Sequence, residues 1–251
     1  MIHNMKLHIE PFNSIAYGSK TIELRLNDEK RQQINVGDTI VFNCAKNNDT
    51  ITARVKELHK FADFKELYNA LPLDKCGYTA HEVKSAKYTD MYDYYTEEQI
   101  KKYGALGIEL CNIETICDIK SALLNEQIYT LLAPSVFNPT TKKLQKRAQK
   151  YFDSSTTNVY VFIQDGKYVG IMVFDVKENI ATINDIAVKI DFRGRGIGSS
   201  LVKFIFEKFI TNKVIAETDD DAVNFYKKCG FEIEKIETGF DTNRYRCQLI
   251  K

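Results

Sequence analysis

Between Thr182 and Phe209 the chain reads TINDIAVKIDFRGRGIGSSLVKFIFEKF, and no other stretch limits its fold as tightly. Thr182 to Val188 sets polar Thr, Asn and Asp against Ile183, Ile186 and Val188, the pattern of a mostly buried strand. A turn follows. Then Arg193, Gly194, Arg195, Gly196, Ile197 and Gly198 open a segment in which Leu201, Val202, Ile205, Phe206 and Phe209 recur at helical spacing. Glycine has no Cβ, so a ligand can approach these main-chain amides closely, and the helix N-terminus behind them adds partial positive charge. The combination predicts a phosphate cradle. A P-loop requires Lys and Ser/Thr directly after its last glycine, but Gly198 is followed by Ser199 and Ser200. The dinucleotide fingerprint requires glycine where Ser199 stands. Both are excluded.

A chain of 251 residues, 44% hydrophobic, can bury one large core or two ordinary ones, and its length favours two. Splitting at Asn112 gives 15 basic and 16 acidic residues before it and 20 and 18 after it, a net −1 and +2. Neither half has the charge of a protein that binds nucleic acid by electrostatics alone. No apolar run reaches the roughly 18 residues a membrane span needs, and MIHNMKLHIEPF lacks a signal-peptide core, so a cytoplasmic protein with no membrane partner is expected. The six cysteines form no CxxC pair and read as reduced, small core hydrophobes. The four histidines show no ligand spacing, and no metal is predicted.

In the first half, Met5 to Glu10 reads as a strand, and Pro11 opens a short helix closed by Gly18. GSKTIELRL follows, with Ile22, Leu24 and Leu26 on an apolar face and Thr21, Glu23 and Arg25 on a charged one. Gly37 and Asp38 turn the chain into a strand over 39–44, and a further strand spans 50–61. Asp63 caps the helix FKELYNAL, which Pro72 ends; ALGIELC closes the half as a strand. Physically, Lys20, Glu23 and Arg25 are either a charge cluster that grips a base edge or phosphate, or a salt-bridged, solvated strand face. The order of GSKTIELRL, VGDTIVF, ALPLDKCGY and YGALGIEL resembles the ASCH domain, a small β-barrel related to PUA modules, and Gly18-x-Lys20-x-x-Glu23-x-Arg25 is its most specific piece. The resemblance implies RNA or nucleotide binding in a cleft lined by that motif. Members that hydrolyse acetylated cytidine carry a nucleophilic Thr where Glu23 stands, so hydrolysis is not implied here.

In the second half, SALLNEQIYTLLA, stopped by Pro134, and the basic TTKKLQKRAQKYF from about Thr140 read as helices. VYVFIQDG and KYVGIMVFDV form a hairpin about Asp165-Gly166, and 181–188 adds a third strand. After the glycine loop and its helix come a strand KVIAET, a short helix in DDDAVNFYKKCG, and two strands, FEIEKIETG and RYRCQLIK. Asp219 to Asp221 suit that short helix's N-terminus and Gly230 its end.

Arg193, Gly196 and Gly198 fit the pattern [Gln/Arg]-x-x-Gly-x-[Gly/Ala], and Ala222, Phe225, Tyr226, Gly230 and Phe231 fit a second, Ala-x-x-Phe-Tyr-x-x-x-Gly-Phe. Both, with the element order, resemble the GNAT N-acetyltransferase family over about 130 residues. The fold expected is therefore α+β in two domains: a PUA-like ASCH β-barrel with helices over residues 1–112, and a GNAT mixed α/β sheet over 113–251. By that resemblance acetyl-CoA is the cosubstrate. Ile186, Ala187 and Val188 pair with its pantetheine arm, and Val188 N–H polarises the thioester carbonyl. Arg193, Gly194, Arg195, Gly196, Ile197, Gly198 and Ser199 hold the pyrophosphate, and Tyr226 protonates the departing thiolate. Asp185 and Glu217 are the candidate general bases, with a water chain as the alternative, because Thr182 stands where many members carry a catalytic Glu. Asp219 stands where many carry a cofactor-binding Asn, and it can instead cap its own helix.

The expected activity is acetyl transfer to a primary amine of a small molecule, protein or RNA, with the ASCH domain recognising a ligand or RNA. The alternative is a sensor that binds a coenzyme A thioester, or RNA, without transferring anything. Neither acceptor nor oligomeric state is written in the sequence.

Overall fold

The computed structural model describes residues 1–47, 49–237 and 243–251. The chain divides into two compact units, one of residues 1–115 with 163–167, the other of 116–162 with 168–251. The fold is α+β.

In the first unit, β1 (Ile2–Leu7) leads into α1 (Ile9–Ala16), followed by β2 (Ile22–Leu26), β3 (Thr39–Cys44) and β4 (Thr50–Phe61). Two short helices, α2 (Phe64–Ala70) and α3 (Glu97–Tyr103), precede β5 (Ala105–Asp118). The ladder runs β1-β3-β4-β5-β2, parallel between β1 and β3 and antiparallel elsewhere. Arg25 of β2 donates from Nη2 to the Lys6 carbonyl of β1 at 3.0 Å, so a side chain links the ladder's two outer strands. The first strand lies earlier than the expected 5–10: helix α1 already begins at Ile9, with Pro11 in the first turn where its missing N–H costs nothing. Gly18 follows with φ +78°, as its closing role requires. Asp63 Oδ1 accepts from Glu66 N at 2.8 Å, the expected cap of α2. One core joins Phe12, Ile15, Ile40, Phe42, Ile51, Leu106 and Ile108, and a second sits under β2 around Phe64 and Leu67.

In the second unit the expected helix over SALLNEQIYTLLA is broken. A 3-10 turn (120–122), α4 (Glu126–Tyr129) and a second 3-10 turn (130–135) replace it. The reason is local: Asn125 accepts from Gln127 N and starts the chain afresh, and Pro134 removes a donor near the end. Helix α5 (Thr141–Asp153) then forms as predicted, Thr140 accepting from Lys143 N at 3.3 Å.

β6 (Thr157–Gln164) and β7 (Lys167–Lys177) follow, turned by Asp165 and Gly166 at φ +48° and +75°, the signs a type I′ turn demands. After β8 (Ile180–Val188) come α6 (Ile197–Lys208), β9 (Lys213–Thr218), α7 (Val223–Lys228), β10 (Glu232–Ile236) and β11 (Arg244–Ile250). The end of the FEIEKIETG strand, residues 238 and 239, lies outside the described residues. Sheet order is β6-β7-β8-β9-β11-β10. Helix α6 buries Leu201, Val202 and Ile205 against it, about 1.5–3 kcal/mol for each side chain.

Two features of β8 open the sheet. Its parallel ladder to β9 runs from Ile180↔Lys213 to Ile183↔Ala216 and ends there. Beside that end, Val173 and Phe174 of β7 pair with Asp185 and Ile183, so Asn184 is an extra, bulged residue that bends β8. Beyond Ile183 the two neighbouring strands part.

Candidate active site

The gap between β8 and β9 is the floor of a cleft of about 990 Å³. Its walls come from Pro134 to Asn138, Arg147 of α5, the loop before α6, and the start of α7. Lys189 N donates to Val169 O at 2.9 Å, which fixes the phase of the β7–β8 ladder. Strand alternation therefore turns the main-chain groups of Ile186 and Val188 away from β7, toward the side that β9 has left. Ala187 points its groups back at β7. Ile186 thus turns both main-chain groups toward the cleft, and Val188 its N–H, Val188 O being held by Arg193 Nε.

The glycine loop is open where an anion would need it. Gly194 and Gly196 have φ +77° and +84°, and a Cβ at either would meet nothing within 4 Å. Among the described residues, the amides of 194–199 donate to no protein acceptor, and the first helical bond is Ser200 N to Gly196 O. Free N–H groups at a helix N-terminus form an anion site. The residues of this loop do not all offer the same groups. Arg193 N is already bonded to Ile190 O, and its side chain instead fastens the loop, Nε donating to Val188 O at 3.1 Å. Arg195 lies outside the cleft lining, donating to Asp191 O at 2.8 Å across the Phe192 ring. Gly198 also meets a packing demand, because a Cβ there would sit 2.6 Å from Phe225 Cε2. Ser199 lines the cleft, its Oγ 3.3 Å from Cys229 Sγ.

Tyr226 is 4% exposed, set edge-on between Phe225 and Phe231, and lines the cleft. Its hydroxyl has no hydrogen-bond partner among the described residues. Burial first, then nearby Cys247 and Asp185, raises its pKa, so the phenol is held protonated. Asp219 does not cap α7: the cap position is Ala222, with no side-chain bond, while Asp219 Oδ1 accepts from Asp221 N at 3.2 Å.

The two candidate bases differ in setting. Asp185 is buried, accepts a short hydrogen bond from Tyr151 Oη, and lies 3.2 Å from Arg147 Nη1. Burial raises its pKa against the pull of those two partners. Glu217 is an exposed residue of β9, its nearest cation Arg246 at 4.0 Å. Both line the cleft.

Arg147 and Tyr151 were missed in the sequence, although their i, i+4 spacing puts them on one helix face with Leu144 and Ala148. The segment 134–138 was missed too, since nothing in its composition marks a wall.

In the first unit Lys20, Glu23 and Arg25 come together as expected, but not on a solvated face. Glu23 is 3% exposed, its Oε2 2.9 Å from Lys20 Nζ and its Oε1 2.8 Å from Arg25 Nε. Burial lowers the Arg25 pKa, and Glu23 with Tyr95 more than offsets this, leaving it raised. Elsewhere in that unit, ligand atoms of Glu57, His59 and Glu109 lie within 4.8 Å of one another, with Lys56 Nζ 2.5 Å from Glu109 Oε1. Cross-strand pairing of β4 with β5 makes this trio, which is why the spacing of histidines did not show it.

Residues 5–114 match the ASCH domain model, and residues 155–233 match the model described as an acetyltransferase (GNAT) domain. The chain carries an ASCH domain and a GNAT acetyltransferase domain. An uncharacterized N-acetyltransferase, MJ1207, of Methanocaldococcus jannaschii is 30% identical over 115 residues, 39% of this chain. The match spans 51% of that relative, about half its length. Among solved structures, hypothetical protein PH0355 is 33% identical, covering 44% of this chain and 97% of its own, at TM-score 0.36. An IAA acetyltransferase from Bacillus cereus is 22% identical, covering 55% of this chain and 99% of its own, at TM-score 0.41. No helix among the described residues is long and apolar enough to cross a membrane.

Proposed function

We propose that the GNAT domain transfers acetyl from acetyl-CoA to a primary amine, with residues 113–251 as the transferase module and residues 1–112 as an ASCH module that recognises a ligand. The observation that supports this most is the run of unpartnered amides from 194 to 199, placed beside the parted strands and the unpartnered phenol of Tyr226.

Those amides take the pyrophosphate, and the main-chain groups of Ile186 take the pantetheine arm as a strand would be taken. Acetyl-CoA supplies the thioester carbonyl. Val188 N–H holds the oxygen that gains charge as the amine attacks. The amine needs to lose a proton, and Glu217 accepts it, since both carboxylate oxygens of Asp185 are already engaged by Tyr151 and Arg147. When the tetrahedral intermediate collapses, the C–S bond breaks and the thiolate takes the Tyr226 proton.

The test is thiol release by the purified chain from acetyl-CoA in the presence of an amine panel. Tyr226→Phe is expected to lower kcat about 10²-fold or more while leaving coenzyme A affinity, read by calorimetry, unchanged. Absence of thiol release with every amine refutes the transferase reading.

A further inference from the structure

We infer that the acceptor is an amine that also carries a carboxylate, and that Arg147 grips that carboxylate; this rests on reading the cleft as a transferase site. Arg147 projects from α5 into the cleft with 37% of its side chain exposed. One corner of its guanidinium is fixed: Nη1 donates to Ser135 O at 3.3 Å and lies 3.2 Å from Asp185 Oδ1. Asp185 is itself held by Tyr151, four residues along the same helix. The Nε and Nη2 donors have no acceptor among the described residues. A guanidinium clamped at one nitrogen presents the remaining two in a fixed fork, the geometry that matches a carboxylate at two points.

The surroundings narrow the ligand's charge. Asp185 already offsets the Arg147 charge, and Glu217, Asp219 and Asp221 of the lining are matched in number by Arg193, Lys228 and Arg244, so the cleft has no excess positive charge and a monoanion suits Arg147 better than a dianionic phosphate. Glu217 faces the same cleft and suits an ammonium. An amino acid, with its cationic and anionic ends, satisfies both walls.

The experiment compares matched amines at saturating acetyl-CoA: lysine against cadaverine, glycine against glycinamide, with phosphoethanolamine as the phosphate arm. The carboxylated member is expected to have a kcat/KM about 10- to 100-fold higher, carried mainly by KM. Arg147→Lys keeps a charge beside Asp185 but loses the fork, and should remove that preference. Arg147→Gln, checked for folding by circular dichroism, should do the same. Equal kcat/KM within each pair, or a preference that survives both substitutions, overturns the carboxylate assignment and leaves the transferase reading intact. Faster turnover of phosphoethanolamine also overturns it. Absence of thiol release with any amine would overturn the transferase reading itself, and this inference with it.

Discussion

At the scale of single residues, Asp185 shows how position in a strand decides what a carboxylate can do. It lies on the same buried face as Ala181 and Ile183, so it is taken out of water and then satisfied by Tyr151 and Arg147. Burial lifts its folded pKa above the ordinary 3.8, and the two partners only partly reverse that. Between 3.8 and the raised value the native protein therefore holds more protons than the unfolded chain, and stability falls as pH rises through that window. Asp185→Asn keeps an acceptor for Tyr151 and removes the titration. Urea unfolding at stepped pH from 3.8 upward should show a shallower decline in the variant than in the parent; an identical slope would contradict the assignment.

Among the elements, the start of α6 carries the most information per residue. Gly196 and Gly198 look alike in the sequence but answer different demands: one stands in the left-handed region with free space around it, the other lies under Phe225. Gly198→Ala should cost about 1–3 kcal/mol by overpacking, measured by denaturant unfolding. In a Phe225→Leu background the same substitution should cost less, because the atom it meets has gone. Equal costs in both backgrounds would mean that some other contact restricts this position. The strand–turn–helix unit, the hairpin at Asp165-Gly166, the cap at Asp63 and the start of a helix near Thr140 were legible because each depends on local chemistry. The bulge at Asn184 was not. Burial alternates without interruption through Ala181, Ile183, Asp185 and Ala187, so only the partner strand's register reveals the extra residue. That bulge is what turns a strand motif into an open cleft, and for the same reason the roles of Arg147 and Tyr151 stayed hidden until α5 was placed beside it.

Across the whole molecule, two compact units carry different charge chemistry. In the GNAT domain the proposed anion site is made of main-chain dipoles, which need no net charge and are consistent with a formal +1 for the chain. In the ASCH domain the motif is made of side chains. Sequence placed Lys20, Glu23 and Arg25 within one segment, but could not show that Glu23 is buried between the two cations, since α2 and α3 arrive from later in the chain to cover β2. The trio sums to a single positive charge. A nucleotide or short RNA bound there should therefore show a weak salt dependence, with a slope of log K against log salt of roughly −1 rather than that of a charged groove. Lys20→Ala and Arg25→Ala should each weaken binding about 10-fold or more in a fluorescence titration. Because either truncation leaves Glu23 short of a partner and can destabilise the unit by about 3–5 kcal/mol, Arg25→Lys supplies a charge-conserving control. If ligands bind those three variants as they bind the parent, or bind none of the four proteins, the cluster is a structural brace and the ASCH domain recognises its ligand elsewhere.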